Sequence, residues 1–146
     1  MNLGLAQVLL EEARFSHVGN FLAAEQTPLA APHRVQMEVQ IVRGAETNRA
    51  GVRLRVSTLP EDAQYSMLVS YLALFTYEPD QDEEFYRRLA LSGAMMLFPF
   101  AREVVGNLTQ RARFGAMWLQ PANFTESLAG EPPKKPLRKR NKRRAK

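Results

Sequence analysis

His17, His33 and the adjacent pair Arg102-Glu103 are the side chains whose types first suggest chemistry in this sequence. An imidazole titrates near neutrality and can move a proton or bind a metal, but it needs an orienting partner to do either. His17 and His33 are separated by an expected strand and a proline-rich loop, and neither has a carboxylate at metal-ligand spacing. A surface or pairing role fits them better than ligation. Arg102-Glu103 lies just beyond Pro99, and an ion pair or helix cap beside a proline kink accounts for it. No nucleophile–base set and no phosphate-cradling glycine loop is present, so nothing here binds nucleotide. With no cysteine in the chain, neither a thiolate zinc site nor a disulfide framework can form. The expectation is a protein without catalysis, cofactor or metal.

The remaining chemistry is that of apolar surface. Phe21, Leu22, Leu29, Met117, Trp118, Leu119, Phe124 and Leu128 fall in stretches that read as irregular or terminal. Apolar side chains left outside a core mark binding surfaces. Methionine and aromatics suit varied partners, because they offer large, polarizable contact area without demanding one shape. The same residues could instead close the core, and the pattern leaves both readings open.

The elements that must position them read as follows. Leu3 to Arg14 has apolar residues at Leu5, Val8 and Leu9 and is expected as a short helix. Phe15 to Leu22 is expected as a strand, and Ala23 to His33, with Pro28 and Pro32, as an irregular connection. Val35, Met37, Val39 and Ile41 alternate with polar residues, as do Val52, Leu54 and Val56, the period of half-buried strands. Met67 to Tyr77 is apolar on both faces, as in a central strand or one covered by a partner. A helix is predicted from near Asp80, where Asp80 with Glu83 fits a capping pattern and Asp82, Glu83 and Glu84 suit the positive end of the helix dipole. Phe85, Leu89, Met96, Phe100, Val104 and Leu108 then recur at helical spacing, and Ala90, Ser92, Gly93, Ala94 and Ala101 would admit a close neighbour. That stripe fits either ordinary helix-on-sheet packing or a helix between subunits. Ala116 to Leu119 is expected as a short strand, stopped by Gln120-Pro121.

Length bounds the chain to one domain with a real core. The N-terminus lacks the basic start and long apolar run of a signal peptide, and no apolar stretch reaches the length of a bilayer span, so a cytoplasmic protein is expected. The net charge of +5 is unevenly placed. Lys134, Lys135, Arg138, Lys139, Arg140, Lys142, Arg143, Arg144 and Lys146 supply nine cations and include every lysine. The first 133 residues then hold 11 basic against 15 acidic residues, a net of −4. The expected organisation is a body over 1–129 and a basic disordered tail over 130–146. Such an arm either solubilises or binds nucleic acid, ribosomes or anionic lipid without sequence specificity.

Two joined motifs define the last third of the body. Leu97-Phe98-Pro99-Phe100-Ala101-Arg102-Glu103 is followed by Leu119, Pro121, Asn123 and Phe124. This pattern resembles the SecB family of export chaperones, in which F-P-[YF]-A-R-E leads through an amphipathic helix to L-x-P-x-N-F. The resemblance implies an α+β fold, a four-stranded antiparallel sheet with a long kinked helix packed on it. It implies assembly as a dimer or tetramer and ATP-independent holding of unfolded polypeptides. By resemblance the client groove takes Phe21, Leu22, Leu29, Val35, Met37, Trp118, Phe124 and Leu128. Met67, Val69, Tyr71, Leu89, Gly93 and Met96 are assigned to the oligomer interface, from the apolar strand and the small-residue stripe. The acidic positions that dock the export ATPase SecA fall on Val18, Leu22 and Leu68, none of them acidic, and the tail is basic where the family's is acidic. The chain thus looks as much like divergent members that serve toxin–antitoxin systems, with an antitoxin as partner, as like the export chaperones.

Overall fold

The computed structural model describes residues 2–17, 35–59, 65–112 and 115–124. Among the described residues four strands, β1 (Gly4–His17), β2 (Val35–Arg43), β3 (Arg49–Thr58) and β4 (Tyr65–Thr76), precede a long helix, α1 (Glu83–Thr109). The strands form one antiparallel sheet in the order β1-β4-β3-β2. β4 is therefore central, as its two apolar faces require.

β1 corrects the expected helix over Leu3 to Arg14. Register shifts between Leu5 and Gln7 and between Leu10 and Glu12 insert extra residues against β4. The residues facing β4's inner face are then Leu5, Val8, Leu10, Ala13 and Phe15, whose partners are Phe75, Ala73, Tyr71, Val69 and Met67. Their spacing of three, two, three and two destroys the period of a regular strand and imitates a helix. The strand expected from Phe15 begins earlier and its described part ends at His17; positions 18–34 lie outside the described residues.

Inner-face residues line up in rows across the sheet, such as Met37–Val56–Val69–Ala13 and Ile41–Val52–Ala73–Val8. The middle of each row is sealed: Val52, Leu54, Val56, Val69 and Ala73 have no exposure. α1 lies over this middle. Its buried residues include Phe85, Leu89, Gly93, Leu97, Ala101, Val105 and Thr109, an unbroken four-residue spacing. Four residues fall about 40° past a full turn of a 3.6-residue helix, so this stripe winds round α1 and follows the twist of the sheet beneath it. Gly93 sits at the closest approach, where an added Cβ would stand 2.7 Å from Val52 Cβ. Fully burying Leu97 or Val105 stabilises the fold by roughly 1.5–3 kcal/mol each.

The helix starts two residues later than expected. The N-cap is Asp82, whose carboxylate accepts the Phe85 N–H at 2.8 Å, while Asp80 takes φ 63° in the turn before it. Glu83 and Glu84 occupy the first turn, beside the positive end of the dipole. Pro99 lies inside α1 on an exposed position. Contrary to the expectation from sequence, α1 has the length and composition of a bilayer span; 44% of that apolar window is buried inside the protein, as in a core helix.

Candidate functional site

The chain leaves α1 through a turn that returns it across the open end of the sheet. Gln110 N–H donates to Gly106 O at 3.0 Å, Ala112 N–H to Thr109 O at 2.8 Å, and Gly115 N–H to Ala112 O at 3.1 Å. Gly115 has φ 81°, a conformation that glycine adopts without a Cβ penalty. The following stretch, 115–123, is irregular and joins no ladder, so the short strand expected over Ala116 to Leu119 is absent.

Side chains fasten this stretch instead. Thr109 is fully buried; its hydroxyl donates to Val105 O at 2.8 Å and accepts the Met117 N–H at 2.7 Å. Tyr65 OH donates to Met117 Sδ at 3.6 Å, and burial pushes the Tyr65 phenol above its ordinary pKa. Leu119 and Phe124 are core residues, and Phe124 meets Phe98 edge-on with centroids 5.9 Å apart. Between these anchors Trp118 is driven outward. It is 55% exposed, lies across Gly106, and has the Arg102 guanidinium 5.8 Å from its ring.

On the β2 flank, Val35, Met37, Val39 and Ile41 remain only half-buried on the inner face; around the rest of the core Phe98, Val104, Leu108 and Met117 are likewise partly covered. On the β1 flank Leu3, Leu5 and Leu10 are exposed, as are Met95, Met96 and Phe100 on α1. Phe100 approaches Tyr71 at 5.9 Å, and Tyr71 faces Leu10 across the β4–β1 pair, so Phe100 belongs to the β1 side.

The outer face of the sheet is polar at its middle. The bulge in β1 presents Glu11, which reaches over the small side chain of Ser70 on β4 to Arg53 on β3. Arg53 donates twice to it, at 2.7 and 2.9 Å, and Ser70 donates once at 3.2 Å. The Arg53 hydrogen bonds hold the Glu11 carboxyl below the usual carboxylate range. At the helix start, Arg43 of β2 pairs with Glu83 at 3.2 Å and lies 3.7 Å over the Tyr86 ring.

Of the groove residues read from sequence, Val35 and Met37 are half-buried, Trp118 is exposed and Phe124 is buried. Phe21, Leu22, Leu29 and Leu128 lie outside the described residues, as do Val18, His33 and the tail. Of the residues assigned to the oligomer interface, Met67, Val69, Tyr71, Leu89 and Gly93 are buried within the protomer, while Met96 is 38% exposed. The sequence reading did not single out Met95, Leu10 or the Glu11–Arg53 pair; Leu5 it placed only in an expected helix, and Phe100 only in the helical stripe and the proline motif. Among the described residues no three His, Cys, Asp or Glu side chains gather to hold a metal ion.

A four-stranded antiparallel sheet under one long helix, with apolar side chains left open on both flanks, defines an α+β fold. The profile of the family described as "Preprotein translocase subunit SecB" matches residues 17–130, and the chain belongs to that family. It is 30% identical over 95 residues to a "Protein-export protein SecB" of Dechloromonas aromatica, covering 61% of this chain and 62% of that protein. A protein of the same name from Rickettsia bellii is 26% identical over 102 residues, covering 65% and 67%. The match thus spans somewhat under two thirds of the Dechloromonas relative's length. In fold, the chain is similar to a SecB-like chaperone of Mycobacterium tuberculosis solved in complex with an antitoxin peptide. The TM-score is 0.65 at 20% identity, covering 82% of this chain and 90% of that one.

Proposed function

We propose that this protein is an ATP-independent holdase that captures extended segments of unfolded polypeptide, acting in the cytoplasm in protein export and without catalysis of its own. The observation that carries this reading is Trp118, the single tryptophan of the chain, held 55% exposed by neighbours that are themselves anchored in the core. The inner face of β2 likewise stays half open along Val35, Met37, Val39 and Ile41. An apolar segment laid over these side chains gains roughly 25 cal/mol per Å² of area removed from water, less the cost of ordering it. Met37 and Met117 let the surface adapt to unlike clients.

The opposite flank supports assembly as a homodimer or tetramer. Among the described residues Leu5 and Leu10 lie on an edge strand, and Phe100, which approaches Leu10's partner Tyr71, and Met96 are exposed on α1. A second copy laid there would cover both that edge and the apolar patch. A SecA contact would have to use a surface other than acidic docking positions, since Leu68 is a half-buried leucine on the outer face. The Mycobacterium complex favours a second reading, in which the client is an antitoxin segment.

The test is fluorescence anisotropy with a labelled, permanently unfolded protein. Trp118→Ser should raise its Kd about tenfold, the effect of removing one aromatic anchor from an interface. Unchanged affinity, with the oligomer intact, would remove Trp118 from the client surface.

A further inference from the structure

Glycine in the interior of a helix is a local cost, since alanine there loses less backbone freedom on folding. Gly106 accepts that cost in the last turn of α1, where its Cα is covered by the six-membered ring of Trp118. A Cβ built on Gly106 would stand 2.6 Å from Cζ3, 2.9 Å from Cη2 and 3.0 Å from Cε3 of that indole. Real Cβ atoms do not approach so closely, so any side chain at 106 would push the ring away. The ring cannot retreat along its own backbone. Met117 N–H is tied to the buried Thr109 hydroxyl at 2.7 Å, and Leu119 is buried on the other side. One turn back along the helix, the Arg102 guanidinium stands 5.8 Å from the ring, within the range of cation–π attraction. A flat glycine floor, a backbone tether on one side, a buried leucine on the other and a cation thus fix one orientation of a side chain that is more than half exposed.

We infer that Gly106 is a positioning residue for client capture, a seat that holds the Trp118 indole flat on α1 with its outer face ready for an apolar client side chain. This rests on the holdase reading above. A fixed ring loses little freedom when a client covers it, so orientation is converted into affinity.

Because Trp118 is the chain's single tryptophan, its fluorescence reports the seat directly. The experiment compares the full-length protein with Gly106→Ala, Trp118→Ser and Gly106→Ala/Trp118→Phe. It measures tryptophan emission and acrylamide quenching where the indole remains, and anisotropy of labelled carboxymethylated α-lactalbumin as the unfolded probe. Gly106→Ala should shift the emission to the red, raise quenching and weaken probe binding by about five- to tenfold with helix content retained. A purely structural glycine would instead give a more stable helix and unaltered indole fluorescence. Unchanged emission and quenching in Gly106→Ala, alongside weakened binding in Trp118→Ser, overturns the seat and leaves the holdase reading standing. Unchanged binding in Trp118→Ser overturns the seat and removes Trp118 from the client surface. Should Gly106→Ala fail to fold, the smaller ring in Gly106→Ala/Trp118→Phe should restore folding; if it does not, the indole is not what the Cβ strikes and the inference is wrong.

Discussion

At the scale of single residues, the Glu11–Arg53 pair and Thr109 make the sharpest claims. Glu11 receives two hydrogen bonds from Arg53 and one from Ser70, and both charged side chains are 28% exposed. Its carboxyl pKa is lowered in the folded protein, first by the Arg53 hydrogen bonds. The pair's stability is therefore fully present above the carboxylate's unfolded pKa and is lost as pH falls through the lower folded value. Glu11→Gln should cost about 1 kcal/mol at neutral pH and almost nothing in strong acid, read as two thermal-melting curves that converge as pH falls. Parallel curves at all pH values would contradict this. Thr109→Val removes the acceptor of the Met117 N–H and should destabilise by about 1–3 kcal/mol, with faster hydrogen exchange at Met117. Little of this was legible in sequence. The glutamate and arginine stand 42 positions apart and meet only because a bulge re-aims one of them. Likewise, no periodicity separates exposed Trp118 from buried Phe124, since their stretch is fastened by individual side chains rather than by a ladder.

At the scale of elements, α1 and the sheet it crosses carry the argument. A Cβ at Gly93 would meet Val52 Cβ and Cγ2 at 2.7 Å, with β3 backbone behind them. Alanine is the better helix former by about 1 kcal/mol, yet overpacking a sealed core costs roughly 1–3 kcal/mol, so the clash should win. Gly93→Ala is expected to lower the denaturation midpoint, and adding Val52→Ala should recover part of the loss. If Gly93→Ala alone raises the midpoint, the helix does not pack as closely as described. Here sequence served well where chemistry repeats. The alternation in Val35–Ile41 and Val52–Val56 marked β2 and β3, and the doubly apolar run marked central β4. It failed at β1, because two bulges turn a period of two into an irregular spacing that mimics a helix. It misplaced the helix cap by two residues, because Asp80 and Asp82 offer the same capping chemistry and only the backbone decides between them.

At the scale of the whole molecule, the motifs around Pro99 and Phe124 carried the family, while the apolar flank along β1 became visible only in three dimensions. Sequence pointed to small residues and to β4, which the chain buries within itself, and to Met96, which is exposed; Leu5, Leu10 and Phe100 are exposed on the same flank. Met96→Glu with Phe100→Glu should split the assembly, and a wild-type particle of 16.6 kDa by light scattering at micromolar concentration would contradict assembly altogether. Truncation after Pro133 removes nine cations and leaves a body of net −4, so affinity for RNA or anionic vesicles should vanish together with its salt dependence. Holding of unfolded clients should persist in that truncated chain, because the proposed client surface is apolar and lies in the body. The most direct test of the central claim is light scattering as a chemically unfolded protein is diluted from denaturant into buffer without ATP. The account predicts that the truncated body suppresses aggregation at near-stoichiometric ratio, and that Met37→Ser with Trp118→Ser loses this while remaining folded. Aggregation that proceeds unchecked beside folded, wild-type protein would contradict it.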